Sequence, residues 1–179
     1  MVFRDYEEPN HLFAEGPLSR HLAAIKESAS REAAAQHADV LLGKDIDDAL
    51  DSITKHYRLR LPSLGKPEAE VLEHAIRYTV PFTGNAQLFQ YRPSQFQTIF
   101  PIADLRHDSL IFEFPNAGTA DEIKGRLNQE LATIDKWLGW IKQDIEMFNS
   151  GLEDFIRPIL ESRKEKVERD QKLREELSS

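Results

Sequence analysis

The chain has no cysteine. That excludes a disulfide framework, a thiolate nucleophile and any cysteine-ligated zinc. Its eight glycines are scattered singly, so neither a G-x-G-x-x-G turn nor a Walker loop can cradle a phosphate. No G-x-S-x-G elbow presents a serine nucleophile. No apolar run approaches the ~20 residues of a membrane helix, and the opening MVFRDYEEPNH lacks an apolar core of signal-peptide length. The expectation is a cytoplasmic protein with no membrane association. Positive charge is in deficit: 23 Lys+Arg against 31 Asp+Glu give a net charge of −8. Such a chain repels phosphate unless its basic residues cluster.

The one basic cluster is Arg163, Lys164, Lys166, Arg169 and Lys172, and Glu161, Glu165, Glu168 and Asp170 interleave with it. The signs cancel locally, which describes an ion-paired helix rather than a stripe for DNA. Direct nucleic-acid binding is therefore not expected. The six histidines never fall at i, i+3 or i+4, so no helical metal pair forms. His74 stands on the apolar side of an alternating run and reads as a core histidine. Asp47/Asp48, Glu7/Glu8 and Glu175/Glu176 are adjacent carboxylates, all in segments patterned as solvated faces. Asp104 followed by Glu113 and Phe114 has the order of a metal-nuclease strand but lacks its lysine. No metal, cofactor or catalytic residue is expected.

What is present fits one domain over 1–179: an irregular lead (1–16), helices plus sheet (17–118) and a long helical arm (119–179). Pro17 suits a first helical position, and Leu18, Leu22 and Ile25 extend a helix over 17–36. Ile46, Leu50, Ile53 and Tyr57 give a second over 45–57. Leu59–Leu61 is a short extended piece ending at Pro62. From Leu72 the even positions Leu72, His74, Ile76, Tyr78, Val80 and Phe82 alternate as a strand. Gly84-Asn85 then turns the chain into a second strand, 86–91, to make a hairpin. A weaker strand is read at 97–102 and a fourth at 110–114, after the turn Arg106-His107-Asp108. These connections are too short for helical crossovers, so the sheet is antiparallel. The fold class is α+β: a small antiparallel sheet, two N-terminal helices, and a long C-terminal helix with a kinked, charged continuation.

That last helix carries the strongest pattern. Thr119 and Glu122 form a capping box. Ile123, Leu127, Leu131, Ile134, Leu138, Ile141, Ile145, Phe148 and Leu152 then recur at steps of three and four, a seam of coiled-coil type. Asn149-Ser150-Gly151 is a predicted break and Pro158 a predicted kink. At 100° per residue Trp140 and Met147 fall on the face opposite the seam. A helix that only covers a sheet has no use for them there, so they are the candidate interface of a homodimer or with a partner protein.

The segment 82–100 is rich in aromatics. Sheet aromatics are usually core. The competing reading makes Phe89, Tyr91, Arg92 and Phe96 a ligand or partner surface.

Three ordered segments, TVPFTGNAQLFQYRPSQF (79–96), LGWIKQDIEMFN (138–149) and RKEKVERDQ (163–171), together with ALDSITKHYRLRLPSL (49–64), resemble the N-terminal region of a largely uncharacterised bacterial protein family. Longer members of that family continue into a domain resembling restriction endonucleases. The resemblance spans about 45–173 and implies a role in defence against foreign DNA. This chain has no acidic-plus-lysine nuclease signature, so no nuclease residue carries over. The expectation is a non-catalytic recognition or assembly module working through an attached or partner effector. The alternative is a small enzyme or ligand-binding domain that uses the aromatic face of the sheet as its pocket.

Overall fold

The computed structural model describes residues 10–43 and 45–178. It is α+β, with an antiparallel sheet and a long C-terminal helix. The residues fall into two compact units. One comprises the chain up to Ser19 together with Arg60–Asp144, the other Arg20–Leu59 together with the chain from Ile145 onward.

The first unit is built on a sheet. Its strands are β1 (Ser63–Leu64), β2 (Glu68–Val71), β3 (Ala75–Thr83), β4 (Asp104–Leu105) and β5 (Ser109–Pro115). β3 is the central strand. Along one side it pairs with β1 (Leu64 opposite Phe82) and β2 (Glu70 opposite Arg77). Along the other it pairs with β5, which in turn holds β4. The alternation read from the sequence is realised from Ile76 to Phe82. Tyr78, Val80 and Phe82 are buried together with Leu110 and Phe112 across the strand pair, while Arg77 and Thr79 face the other way beside Glu113 and Ile111. At the far end of β3 the turn requires Gly84. Its φ is +92°, and a Cβ there would lie 2.5 Å from the Leu61 carbonyl oxygen.

Several sequence expectations are corrected here. β3 starts at Ala75, not Leu72. Leu72 and His74 lie in the tight turn from β2, closed by the Leu72 N–H on the Ala75 carbonyl at 2.8 Å. The imidazole of His74 is exposed beside Glu73, so it is not a core histidine; the alternating pattern ran on into the turn by coincidence. β2, with sequence EAEV, is exposed throughout, and a strand without a buried face carries no alternation to detect. Residues 86–91 form no strand: Ala86–Phe89 is a turn of 3-10 helix. Leu88 and Phe89 are consecutive and both fully buried, which a half-buried strand cannot achieve. The hairpin partner of β3 is therefore β2. Residues 97–102 make only an isolated bridge, Ile102 to His11.

The second unit is helical, formed by α1 (Leu18–Ala34, from Arg20), α2 (Ala38–Gly43), α3 (Ile46–Tyr57) and the later part of α4 (Ala120–Ser178). Among the described residues a six-residue α2 lies between the two N-terminal helices expected. The core joins Ala29, Ala33, Leu41, Leu50 and Ile53 to Phe148, Leu152, Ile156, Leu160 and Val167. α4 runs unbroken across 149–151 and across Pro158. Asn149 does not end the helix. Its side-chain amide instead takes both backbone groups of Leu59, accepting from the N–H at 2.9 Å and donating to the carbonyl at 2.8 Å. Arg157 joins Asp47 (2.7 Å) to Glu153 (2.9 Å).

Candidate functional site: a pinned apolar strap

The start of α4 belongs to the first unit, and its buried face explains where the aromatic segment goes. Ile123, Leu127, Ile134, Trp137, Leu138 and Ile141 are all buried. Trp137 is the centre of an aromatic cluster. Phe13 stacks on it with centroids 5.0 Å apart, Phe100 lies at 5.0 Å, and Trp140 meets it edge-on at 5.7 Å. Among the described residues its buried indole N–H meets no hydrogen-bond acceptor.

Phe13 reaches this cluster because residues 10–18 are sewn to two other segments. The Phe13 N–H bonds to the Phe89 carbonyl (2.6 Å), Glu15 to Gln90 (2.9 Å) and Leu18 to Arg92 (2.7 Å). On the other side Leu12 bonds to Pro101 (2.9 Å) and Ala103 to Asn10 (3.2 Å). Between those two lines of bonds the chain from Ser94 to Ile102 runs as a strap along α4. The backbone N–H and hydroxyl of Ser94 both donate to the Asp144 carboxylate, at 2.8 and 2.6 Å. The ring of Phe100 lies on Trp137. The Ile102 N–H reaches Glu130 at 3.4 Å. Fourteen residues of helix separate Glu130 from Asp144, roughly 21 Å of axis.

The four residues singled out from the sequence divide. Phe89 is fully buried, packed on Phe82 at 4.8 Å and Phe13 at 6.1 Å. It belongs to the core. Tyr91 and Arg92 are half-buried, and the Arg92 guanidinium sits 4.6 Å over the ring of Phe96. Phe96 is 49% exposed and Ile99 75%. Trp140 is half-buried, with the Lys136 ammonium 5.3 Å over its ring. Met147, in the second unit, is 77% exposed.

A concavity of about 940 Å³ opens over the other face of the sheet, lined by Glu70, Arg77, Asp104, Arg106, Glu113 and Glu130 among others. Both of its guanidiniums are held by carboxylates. Arg77 bonds to Glu113 (2.6 Å) and approaches Glu70 (3.7 Å), and Arg106 pairs with Asp104. The Glu113 bond holds the Arg77 guanidinium still more firmly protonated than usual. Among the described residues no group of three or more potential ligands could hold a metal ion, and no helix is long and apolar enough to cross a membrane.

No known relative identifies the strap. No protein-family model matches the chain, and no curated protein or solved structure matches it either. The residues that fix the strap, Ser94 and Asp144, were not legible in the sequence. They lie 50 positions apart and belong to no motif.

Proposed function

We propose that this chain is a non-catalytic recognition or assembly module that works through an attached or partner effector. On this reading it is the N-terminal type of region found in the defence-type bacterial family that its segments resemble. The observation that carries the reading is the exposure of Phe96 and Ile99 on a strap whose two ends are pinned. Large apolar side chains held outward on a fixed support suit a protein contact. A ligand pocket would instead need convergent free polar groups around an enclosed apolar space. The two guanidiniums over the open sheet face are already paired with carboxylates there, and Phe89 is spent on the core. Trp140 and Met147 are a further candidate contact on α4. The net charge of −8 and the interleaved signs of 161–172 support a protein partner over a nucleic acid.

The test is direct. Incubated with plasmid DNA or RNA and Mg²⁺ or Mn²⁺, the protein is expected to show no turnover. Duplex affinity at physiological salt should be no tighter than the micromolar level of non-specific binding. Turnover that survives repurification and vanishes in a point variant would overturn the reading, as would nanomolar duplex binding.

A further inference from the structure

We infer that the groove between the outer edge of β1 and α4 is a peptide site. It takes an extended segment of a partner protein in which an apolar residue and a lysine or arginine stand two positions apart. The inference rests on the recognition reading above and adds to it a site away from the strap.

β1 ends the path of the sheet beside β3, and its register leaves one residue facing outward. The Gly65 N–H bonds to the Pro81 carbonyl at 2.6 Å, so Gly65 and Pro81 are a hydrogen-bonded pair. Such pairs alternate along an antiparallel ladder. Leu64 opposite Phe82 is therefore a non-hydrogen-bonded pair. The Phe82 N–H indeed turns to the other side and meets the Asp108 carbonyl at 2.9 Å. Leu64 thus directs both its N–H and its carbonyl away from the sheet, where no strand among the described residues meets them. An open donor and acceptor at a sheet edge are what an added strand uses. Pro62 and Pro67 flank the edge and keep the ladder short, so side-chain contacts must supply most of the selectivity.

Beside that edge lies a groove of about 550 Å³ lined by Leu61, Leu64, Leu131, Asp135, Leu138 and Gly139 among others. Leu64 shares a face of the sheet with the buried Phe82, so a residue added opposite Leu64 turns its side chain into the groove. Two features define the occupant. The open backbone pair fits an extended chain, whereas a helix spends its own N–H and carbonyl groups internally. The second feature is charge. Asp135 is the single charged residue lining the groove. It is exposed, and among the described residues no ion pair or hydrogen bond engages its carboxylate. A lone carboxylate between apolar walls selects a cation, and the net charge of −8 adds long-range attraction for a basic segment. Leu131 and Gly139 each stand one helical turn from Asp135, roughly 6 Å of axis. Side chains two apart on a strand are separated by about 7 Å. One face of one extended segment can therefore place an apolar residue against Leu131 or Leu138 and a lysine or arginine against Asp135. Gly139 keeps the groove open, since a Cβ there would meet nothing within 4 Å.

The experiment is selection of a displayed random octapeptide library on the full chain, followed by anisotropy titration of the enriched peptides. Thermal melts confirm that each variant is folded. Asp135 and Gly139 are both exposed, so Asp135→Lys and Gly139→Trp should stay folded. Enriched peptides should carry an apolar residue and a lysine or arginine two positions apart, in either order. Asp135→Lys should weaken them at least tenfold, and selection on that variant should return glutamate or aspartate in place of the basic residue. Gly139→Trp should weaken them likewise by filling the groove, whereas Phe96→Glu, on the strap, should not. Methylating one alternate set of peptide N–H groups should abolish binding and methylating the other should spare it, because only one set faces Leu64. A library with no enriched sequence overturns the peptide site while leaving the non-catalytic reading standing. Peptides that bind Asp135→Lys or Gly139→Trp as they bind wild type also overturn it, as does equal tolerance of both methylated sets. Loss of binding in Phe96→Glu but not in Gly139→Trp would place the peptide on the strap and equally overturn it.

Discussion

The ring of Phe13 lies nearly parallel to the indole of Trp137, 12° between planes and 5.0 Å between centroids, on a backbone whose φ is +61°. A side chain with a Cβ costs about 1–2 kcal/mol in that left-handed conformation, and a bulky one is rarely found there. The residue is nonetheless fully buried, and its N–H is bonded to Phe89. The stacking and burial of the ring outweigh the backbone strain. Phe13→Ala should therefore cost about 3–5 kcal/mol, the usual range for an aromatic removed from a core. Phe13→Gly should cost about 1 kcal/mol less than Phe13→Ala, because glycine accepts the positive φ. Urea melts of the two variants decide it. A glycine variant less stable than the alanine one would show that the backbone there is not strained.

The seam of α4 offers a plainer test. Ile141 is fully buried and Leu138 nearly so. Ile141→Ala or Leu138→Ala should lose about 2–5 kcal/mol on denaturant unfolding. A loss below about 0.5 kcal/mol, the scale of a surface substitution, would mean that this face of the helix is not core.

That seam was legible because thirty residues repeat one spacing, and a buried helix face leaves such a trace. The capping box was legible for a similar reason, since its two partners sit three apart. Thr119 and Glu122 do exchange bonds, N–H to carboxylate at 2.7 Å and N–H to hydroxyl at 3.3 Å. Ile76 to Phe82 was legible as a strand because one face is buried. What escaped was structure decided by distant residues. Asn149-Ser150-Gly151 looks like a helix end to any local rule, but Asn149 is occupied with the backbone of Leu59, 90 positions away. Residues 86–91 look like a strand until Leu88 and Phe89 both turn inward. Of the candidate site, Phe96 and Arg92 were visible as types, whereas their support by Ser94 and Asp144 was not.

Three glycines inside α4 should be replaceable with gain. Around Gly125, Gly139 and Gly151 an added Cβ would meet nothing within 4 Å. Glycine in a helix interior costs roughly 0.5–1 kcal/mol relative to alanine, largely through the freedom it gives the unfolded chain. Each Gly→Ala change should therefore raise stability by about that amount, measured by denaturant midpoint. Gly84→Ala is the control with opposite sign, since its φ of +92° and the Leu61 carbonyl leave no room for a Cβ. An alanine at 125, 139 or 151 that destabilises would mean that some further contact closes on that helix face.

Two groups should give the protein a stepped loss of stability in acid. Burial lowers the pKa of His21 from its ordinary 6.5, so the fold holds the neutral ring. The unfolded chain takes up that proton first. Stability from this residue is full above about pH 6.5 and is lost as pH falls from there through the lowered value. Glu122 is lowered from 4.5, first by the Thr119 backbone N–H and then by its hydroxyl. Its contribution is full above about pH 4.5 and is lost as pH falls through its own lowered value, because the protonated carboxyl is a poorer acceptor for the cap. Unfolding midpoints measured from neutral pH down to strong acid, as differences from wild type, should separate the two. His21→Gln should remove the upper step and keep the lower; Glu122→Gln should do the reverse. If His21→Gln tracks wild type through the upper window, the neutral imidazole is not what the fold requires at that position.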